Sequence, residues 1–144
     1  QIADGLTDDG RCIGIDYSAP MLSRAARTNR TERAAYLRAD AHAMPFADNT
    51  FDTVTCLAAL YLIPDPIPVL DELVRVARTG GEVIVFTSVV TGVSSLPGVR
   101  EVAGASGYRI FGRHEIVDRL RAAGLEYVEQ TITGQGQYVI GIKS

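Results

Sequence analysis

Three places in the chain set chemistry-bearing side chains directly after runs of strand-forming residues. Asp16-Tyr17 follows Arg11-Cys-Ile-Gly-Ile, Asp40-Ala41-His42 follows Ala35-Tyr-Leu-Arg-Ala39, and Cys56-Leu57-Ala58 closes Phe51-Asp-Thr-Val-Thr. A carboxylate at a strand end can accept both hydroxyls of a ribose, a short charge-assisted contact that also selects against a 2′-phosphate. An acidic side chain followed by a small residue can accept an adenine amino group while the backbone lies against the ring. The third end, small and apolar, can floor a flat ligand. Taken singly, each aspartate also reads as an ordinary helix cap or turn residue. Their pairing at successive strand ends is what suggests an adenosine-shaped site.

Such ends work together only if an open parallel sheet brings them to one edge, where ligands bind in folds of this kind. The rest of the pattern supports that arrangement. Residues 11–16 read as a buried strand after a turn at Asp8-Asp9-Gly10. Ser18 caps a helix in which Met21, Leu22, Ala25 and Ala26 recur at helical spacing. Residues 35–39 and 51–57 are two further strands. Asp65-Pro66 opens a helix with the stripe Ile67, Leu70, Leu73, Val74 and Ala77, expected to stop at Gly80-Gly81. Residues 82–87 form an apolar strand expected to be covered on both faces. A loop or short helix over 88–112 leads to a helix from Gly112 or Arg113 through Ala123, closed by Gly124. Two strands, 126–133 and 137–143, surround a turn at Gly134-Gln-Gly136. Alternation of this kind predicts an α/β doubly wound sheet with an antiparallel C-terminal strand pair, in one domain without repeats.

Composition narrows the function classes. The 144 residues, 47% hydrophobic and 22% charged, suit one globular domain with a real core. A net charge of −3 argues against non-specific nucleic-acid binding. Cys12 and Cys56 stand alone, which excludes a disulfide framework and points to a reducing, cytoplasmic setting. The apolar run over 56–64 is far shorter than the ~20 residues of a membrane helix. No histidine and carboxylate cluster has metal-ligand spacing, and no Gly-x-Ser-x-Gly turn supplies a nucleophile. His42 reads as an exposed loop residue, with a base near an acceptor as the sharper alternative; His114 reads as surface. Arg24, Arg27, Arg30, Arg33 and Arg38 read as a solvated helix face. Tyr61 can be core or pocket rim, and residues 89–111, with Tyr108 and Phe111, a lid or a plain connection.

At the level of motifs, Ile13-Gly-Ile-Asp-Tyr-Ser-Ala-Pro-Met-Leu22 resembles the second-strand motif of the class I S-adenosylmethionine-dependent methyltransferases. Arg38-Ala-Asp-Ala-His-Ala-Met-Pro-Phe46 with Asn49-Thr-Phe-Asp52 is similar to the next two motifs. Leu73-Val-Arg-Val-Ala-Arg-Thr-Gly-Gly-Glu-Val-Ile-Val85 is similar to the helix, glycine turn and fifth strand, with Arg-Thr where the family usually has Lys-Pro. The nearest flavour is the ubiquinone and menaquinone C-methyltransferase branch.

The resemblance implies a Rossmann-like sheet and S-adenosylmethionine as cofactor. Asp16 would hold the ribose and Asp40-Ala41 the adenine. Met21 would pack near the adenine, Leu57 would line the methionine end, and Tyr17 can stack. The implied reaction is methyl transfer to a small-molecule acceptor, at O or C. Such transfer depends on aligning an already activated methyl group, and no catalytic residue is assigned. The family's glycine-rich turn belongs ~20 residues before the acidic residue, which falls ahead of Gln1; Gln1-Ile-Ala-Asp-Gly5 looks like a helix tail. The expectation is therefore an N-terminally truncated methyltransferase domain over 1–144, its first strand and helix missing. The alternative is a non-catalytic module of the same fold that serves interaction or homodimerisation.

Overall fold

Strand and helix alternate through residues 9–144, the part of the chain that the computed structural model describes. The helix tail expected at residues 1–5 lies outside them. The chain divides into two compact units, Gln1–Pro45 and Phe46–Ser144.

In the first unit, β1 (Cys12–Asp16) and β2 (Ala34–Arg38) pair in parallel through α1 (Ala19–Thr28). The register runs from Cys12↔Ala34 to Asp16↔Arg38. The crossover helix begins where expected: Ser18 is its N-cap, Met21 N–H donates to Ser18 Oγ at 3.5 Å, and a proline sits in the first turn. Asn29 ends it by donating its N–H to the Ala25 carbonyl at 2.9 Å. No residue of α1 is buried, and Met44 is the one buried side chain among the described residues of this unit.

The second unit is a four-stranded sheet in the order β3-β4-β6-β5. Its strands are β3 (Phe51–Leu57), β4 (Ala77–Ser88), β5 (Leu125–Thr133) and β6 (Gly136–Lys143). β3 and β4 are parallel, while β6 lies between β4 and β5 and is antiparallel to both. The expected antiparallel end pair is present, and β6 is its reversed member. Helices α2 (Ile67–Val76) and α4 (Glu115–Ala122) pack on the sheet and on each other. Leu70, Leu73 and Val74 of α2, Ile116 of α4 with Leu120, and Val83, Val85 and Val139 of the sheet are the buried apolar side chains of these packed elements. Arg119 and Asp71 add an ion pair across the two helices. Along β4, Val83, Val85 and Thr87 are buried while Ile84 and Phe86 are half-buried. This period-2 pattern replaces the cover on both faces expected from composition.

One boundary moves. The helix expected to reach Gly80-Gly81 stops at Val76, and β4 begins at Ala77. Neighbouring segments take the helix's last carbonyls. Asn49 N–H donates to Arg75 O at 3.0 Å and Thr50 N–H to Val76 O at 2.8 Å. Lys143 Nζ donates to Arg75 O at 3.2 Å and to Ala77 O at 2.9 Å. The glycines serve a bulge instead. Pairing jumps from Phe51↔Ala77 to Thr53↔Glu82, Gly80 has φ +73°, and a Cβ on Gly81 would lie 2.9 Å from the Asp52 carbonyl oxygen.

Candidate functional site

In the first unit the fold puts Asp16 and Asp40 at the carboxyl ends of neighbouring parallel strands. Asp16 closes β1 opposite Arg38, and Ala39 N–H donates to the Asp16 carbonyl at 3.2 Å, so Asp40 follows directly beyond the last rung. Both carboxylates are held by the same device. Asp16 Oδ1 accepts the Ser18 N–H at 2.7 Å, and Asp40 Oδ1 accepts the His42 N–H at 2.9 Å. Each is an Asx turn that fixes one carboxylate oxygen and the direction of the chain leaving the strand.

Turn residue and ligand-facing carboxylate are thus compatible here. His42 is neither free nor a mobile base: its Nδ1 lies 2.7 Å from Asp40 Oδ1. An ionised carboxylate only accepts, so Nδ1 carries the hydrogen. The His42 backbone N–H, then its ring, hold the Asp40 carboxyl below the ordinary carboxylate range.

Tyr17, Met21 and Ala41 lie in the same unit. Tyr17 is 70% exposed and Met21 52% exposed, at the start of the chain that leaves β1. Tyr17 is nonetheless fixed: Arg38 Nε donates to its carbonyl at 3.0 Å, and the guanidinium carbon sits 5.3 Å from the ring centroid. Arg38 was grouped above with the solvated helix arginines, but α1 ends at Thr28 and Arg38 belongs to β2. Aligning the two five-residue strands from their ends would have placed it beside Asp16 and Tyr17.

Leu57 ends β3 in the second unit and is 44% exposed. Beside it Cys56 is buried, and desolvation pushes its thiol up to about 11, which makes it a packing residue. The segment after β3 carries two non-glycine residues at positive φ, Ala58 (57°) and Asp65 (44°). Ala58 N–H donates to Phe86 O at 2.9 Å, and Arg109 N–H donates to Tyr61 O at 2.9 Å, which pins this segment on both sides.

Between the pins, Tyr61 and the helix α3 (Val99–Ala105) border an open groove of about 610 Å³, with Pro64, Arg100 and Tyr108 in its walls. The Tyr61 and Tyr108 ring centroids are 4.6 Å apart and tilted by 37°. Tyr61 is therefore a rim residue. Of the two aromatics expected in a lid, Tyr108 faces the groove and Phe111 is core, fully buried and bridged to Val89. Ser88 Oγ donates to Arg109 O at 2.5 Å and Val90 N–H to Phe111 O at 2.9 Å, so the excursion between them is closed at its base. Among the described residues, no group of three or more His, Cys, Asp or Glu could hold a metal ion. No described helix is long and apolar enough to cross a membrane.

With this geometry in place, comparison with known proteins is informative. The family described as Methyltransferase domain matches residues 1–85. A demethylmenaquinone methyltransferase of Bacillus licheniformis is 38% identical over 84 residues, which cover 58% of this chain and 36% of that protein. The match thus spans about a third of the length of such relatives. Among solved structures, the methyltransferase in complex with the Trm112 activator of Haloferax volcanii superposes with a TM-score of 0.78 at 20% identity, covering 92% of this chain and 72% of that one. Phosphoethanolamine N-methyltransferase 2 of Haemonchus contortus, in complex with S-adenosyl-L-methionine, gives 0.77 at 15% identity over 91% of this chain and 43% of that one. At such identities the structures share the fold, a Rossmann-like α/β sheet.

Proposed function

Because the chain belongs to the methyltransferase domain family, we propose that it is part of a protein that uses S-adenosylmethionine to methylate a small-molecule acceptor at O or C. The observation that carries this reading is the placement of Asp16 and Asp40 after adjacent parallel strands, each anchored through Oδ1 by its own turn. The donor set fits a nucleoside. Among the described residues neither Oδ2 accepts a hydrogen bond in these contacts, and a vicinal diol and an exocyclic amine supply the donors such oxygens need.

Asp16 takes the ribose hydroxyls. Asp40 takes the adenine amino group, with Ala41 leaving room for the ring. Tyr17, steadied by Arg38, offers a flat exposed face, and Met21 a soft apolar contact. Leu57, on its own unit, is assigned an apolar contact with the methionine end. When bound, the cofactor supplies an already activated methyl group. The protein's share of the work is to orient it and keep water away, which suits a chain whose carboxylates are anchored by turns. A small organic acceptor is supported by the name demethylmenaquinone methyltransferase that these relatives carry. We place the protein in the cytoplasm, where Cys12 and Cys56 stay reduced, and leave a homodimer to gel filtration.

Isothermal titration with S-adenosylhomocysteine tests the reading. Losing two charge-assisted hydrogen bonds, Asp16→Ala should bind about 100-fold more weakly, and Asp40→Ala about tenfold. Equal affinity for wild type and Asp16→Ala would remove the nucleoside from this strand end and the cofactor assignment with it.

A further inference from the structure

Arg38 stands directly opposite Asp16 in the parallel ladder of the first unit. Paired residues of neighbouring strands project from the same face of a sheet, and opposite charges placed there attract. A guanidinium beside a carboxylate normally takes it, often through two hydrogen bonds. No such pair forms here: among the described residues the Asp16 carboxylate has no charged partner and accepts only the Ser18 N–H, at 2.7 Å. Arg38 is turned to Tyr17 instead. Its Nε donates to the Tyr17 carbonyl at 3.0 Å, and its guanidinium carbon lies 5.3 Å from the centre of the Tyr17 ring.

Two attractions on one residue thus outweigh one on the other. A neutral carbonyl is a poorer acceptor than a carboxylate, but a cation over an exposed ring is worth about as much as an exposed ion pair. Asp16 also competes at a disadvantage: its Oδ1 is committed to the turn, which bars the two-bond geometry an arginine prefers. Tyr17 is 70% exposed, so core packing does not dictate where its ring lies. The consequence falls on Asp16, whose Oδ2 keeps no cation inside the chain and stays open to a donor from outside.

We infer that Tyr17 is a positioning residue for the ribose contact and acts through Arg38: by holding the guanidinium it prevents an internal Asp16–Arg38 pair that would compete with ligand hydroxyls for Oδ2. Any apolar side chain at this position would offer a ligand a face. Only an aromatic one also retains the cation. That the ligand is a nucleoside rests on the methyl-transfer reading; the holding of Arg38 does not.

The guanidinium nitrogen resonances of Arg38, recorded by NMR without ligand, test the holding directly. Asp16→Asn should leave them in place in the wild-type background, since asparagine keeps the turn and removes only the charge. In Tyr17→Ala the same substitution should move them, because Arg38 has by then turned to Asp16. Equal shifts in both backgrounds, or none in either, overturn the inference. Isothermal titration with S-adenosylhomocysteine reads the effect on the ligand. Arg38→Met, which keeps an apolar stem, should weaken binding about twofold in the wild-type background, where Tyr17 loses its support. In Tyr17→Ala it should strengthen binding about threefold, because the competing cation is gone. Weakening by the same factor in both backgrounds overturns the inference. Absent binding by wild type ends the cofactor reading instead, and the Arg38 resonances then decide the inference by themselves.

Discussion

Residues 9–45 and residues 46–144 are held in shape by different forces. In the first region the order is local: a five-rung parallel ladder, a capped helix without a buried residue, and two Asx turns at the strand ends. In the second, burial is extensive: Leu60, Leu70, Phe111, Ile116, Leu120 and Val139 are all inaccessible to solvent. A short two-stranded ladder is marginal in water, whereas a packed core of this size is not. The region that carries the candidate carboxylates Asp16 and Asp40 is therefore, among the described residues, the one with less burial to stabilise it. Elements that must meet a ligand belong at the low-stability end of a fold.

The sharpest break of this comparison pairs two truncations. Phe111→Ala empties a fully buried ring site and should cost about 4 kcal/mol by urea unfolding. Leu37→Ala, on a strand of the first region where the side chain is exposed, should cost less than ~1 kcal/mol. Equal losses would mean that the first region draws on burial as much as the second.

What could be read from sequence follows the same division. Apolar periodicity located α2 and α4, because in each a buried stripe dictates the pattern, as with Leu70, Leu73 and Val74. It misplaced the end of α2, since the carbonyls of Arg75 and Val76 are taken by Asn49, Thr50 and Lys143, partners up to 68 residues away that no local pattern reveals. At the candidate site, residue type and position after a strand were enough to single out Asp16 and Asp40. The contacts that orient their surroundings were not legible. Arg38 looked like one more surface arginine, and the Tyr61–Tyr108 pair joins residues 47 apart only through the closed excursion after β4.

Lys143, the chain's only lysine, sharpens the comparison at intermediate scale. It ties the last strand to the end of α2 through the carbonyls of Arg75 and Ala77, and to Asn49 Oδ1 at 3.0 Å. An ammonium at a helix C-terminus is favoured by the helix dipole as well as by its hydrogen bonds. Lys143→Met keeps most of the stem's packing and removes the charge. It should cost about 2 kcal/mol in urea unfolding. A neutral result would confine the second region's stability to its apolar core.

The smallest effect belongs to the first region and depends on pH. Hydrogen bonds from the His42 backbone and ring hold the Asp40 carboxyl below its ordinary value of 3.8. A group depressed on folding contributes stability that is present above its unfolded pKa and lost as pH falls through the folded one. The wild-type advantage over Asp40→Asn should thus be constant near neutrality and shrink as pH drops below about 4. Because Asp40 is exposed, water screens the pair and the change is small. Urea unfolding of both proteins at pH 5 and pH 3 reads it, with Phe111→Ala as an internal standard whose cost, being apolar, stays level across that range. A wild-type advantage over Asp40→Asn just as level would show that the turn at Asp40 is held by its backbone geometry and draws nothing from the carboxylate's charge.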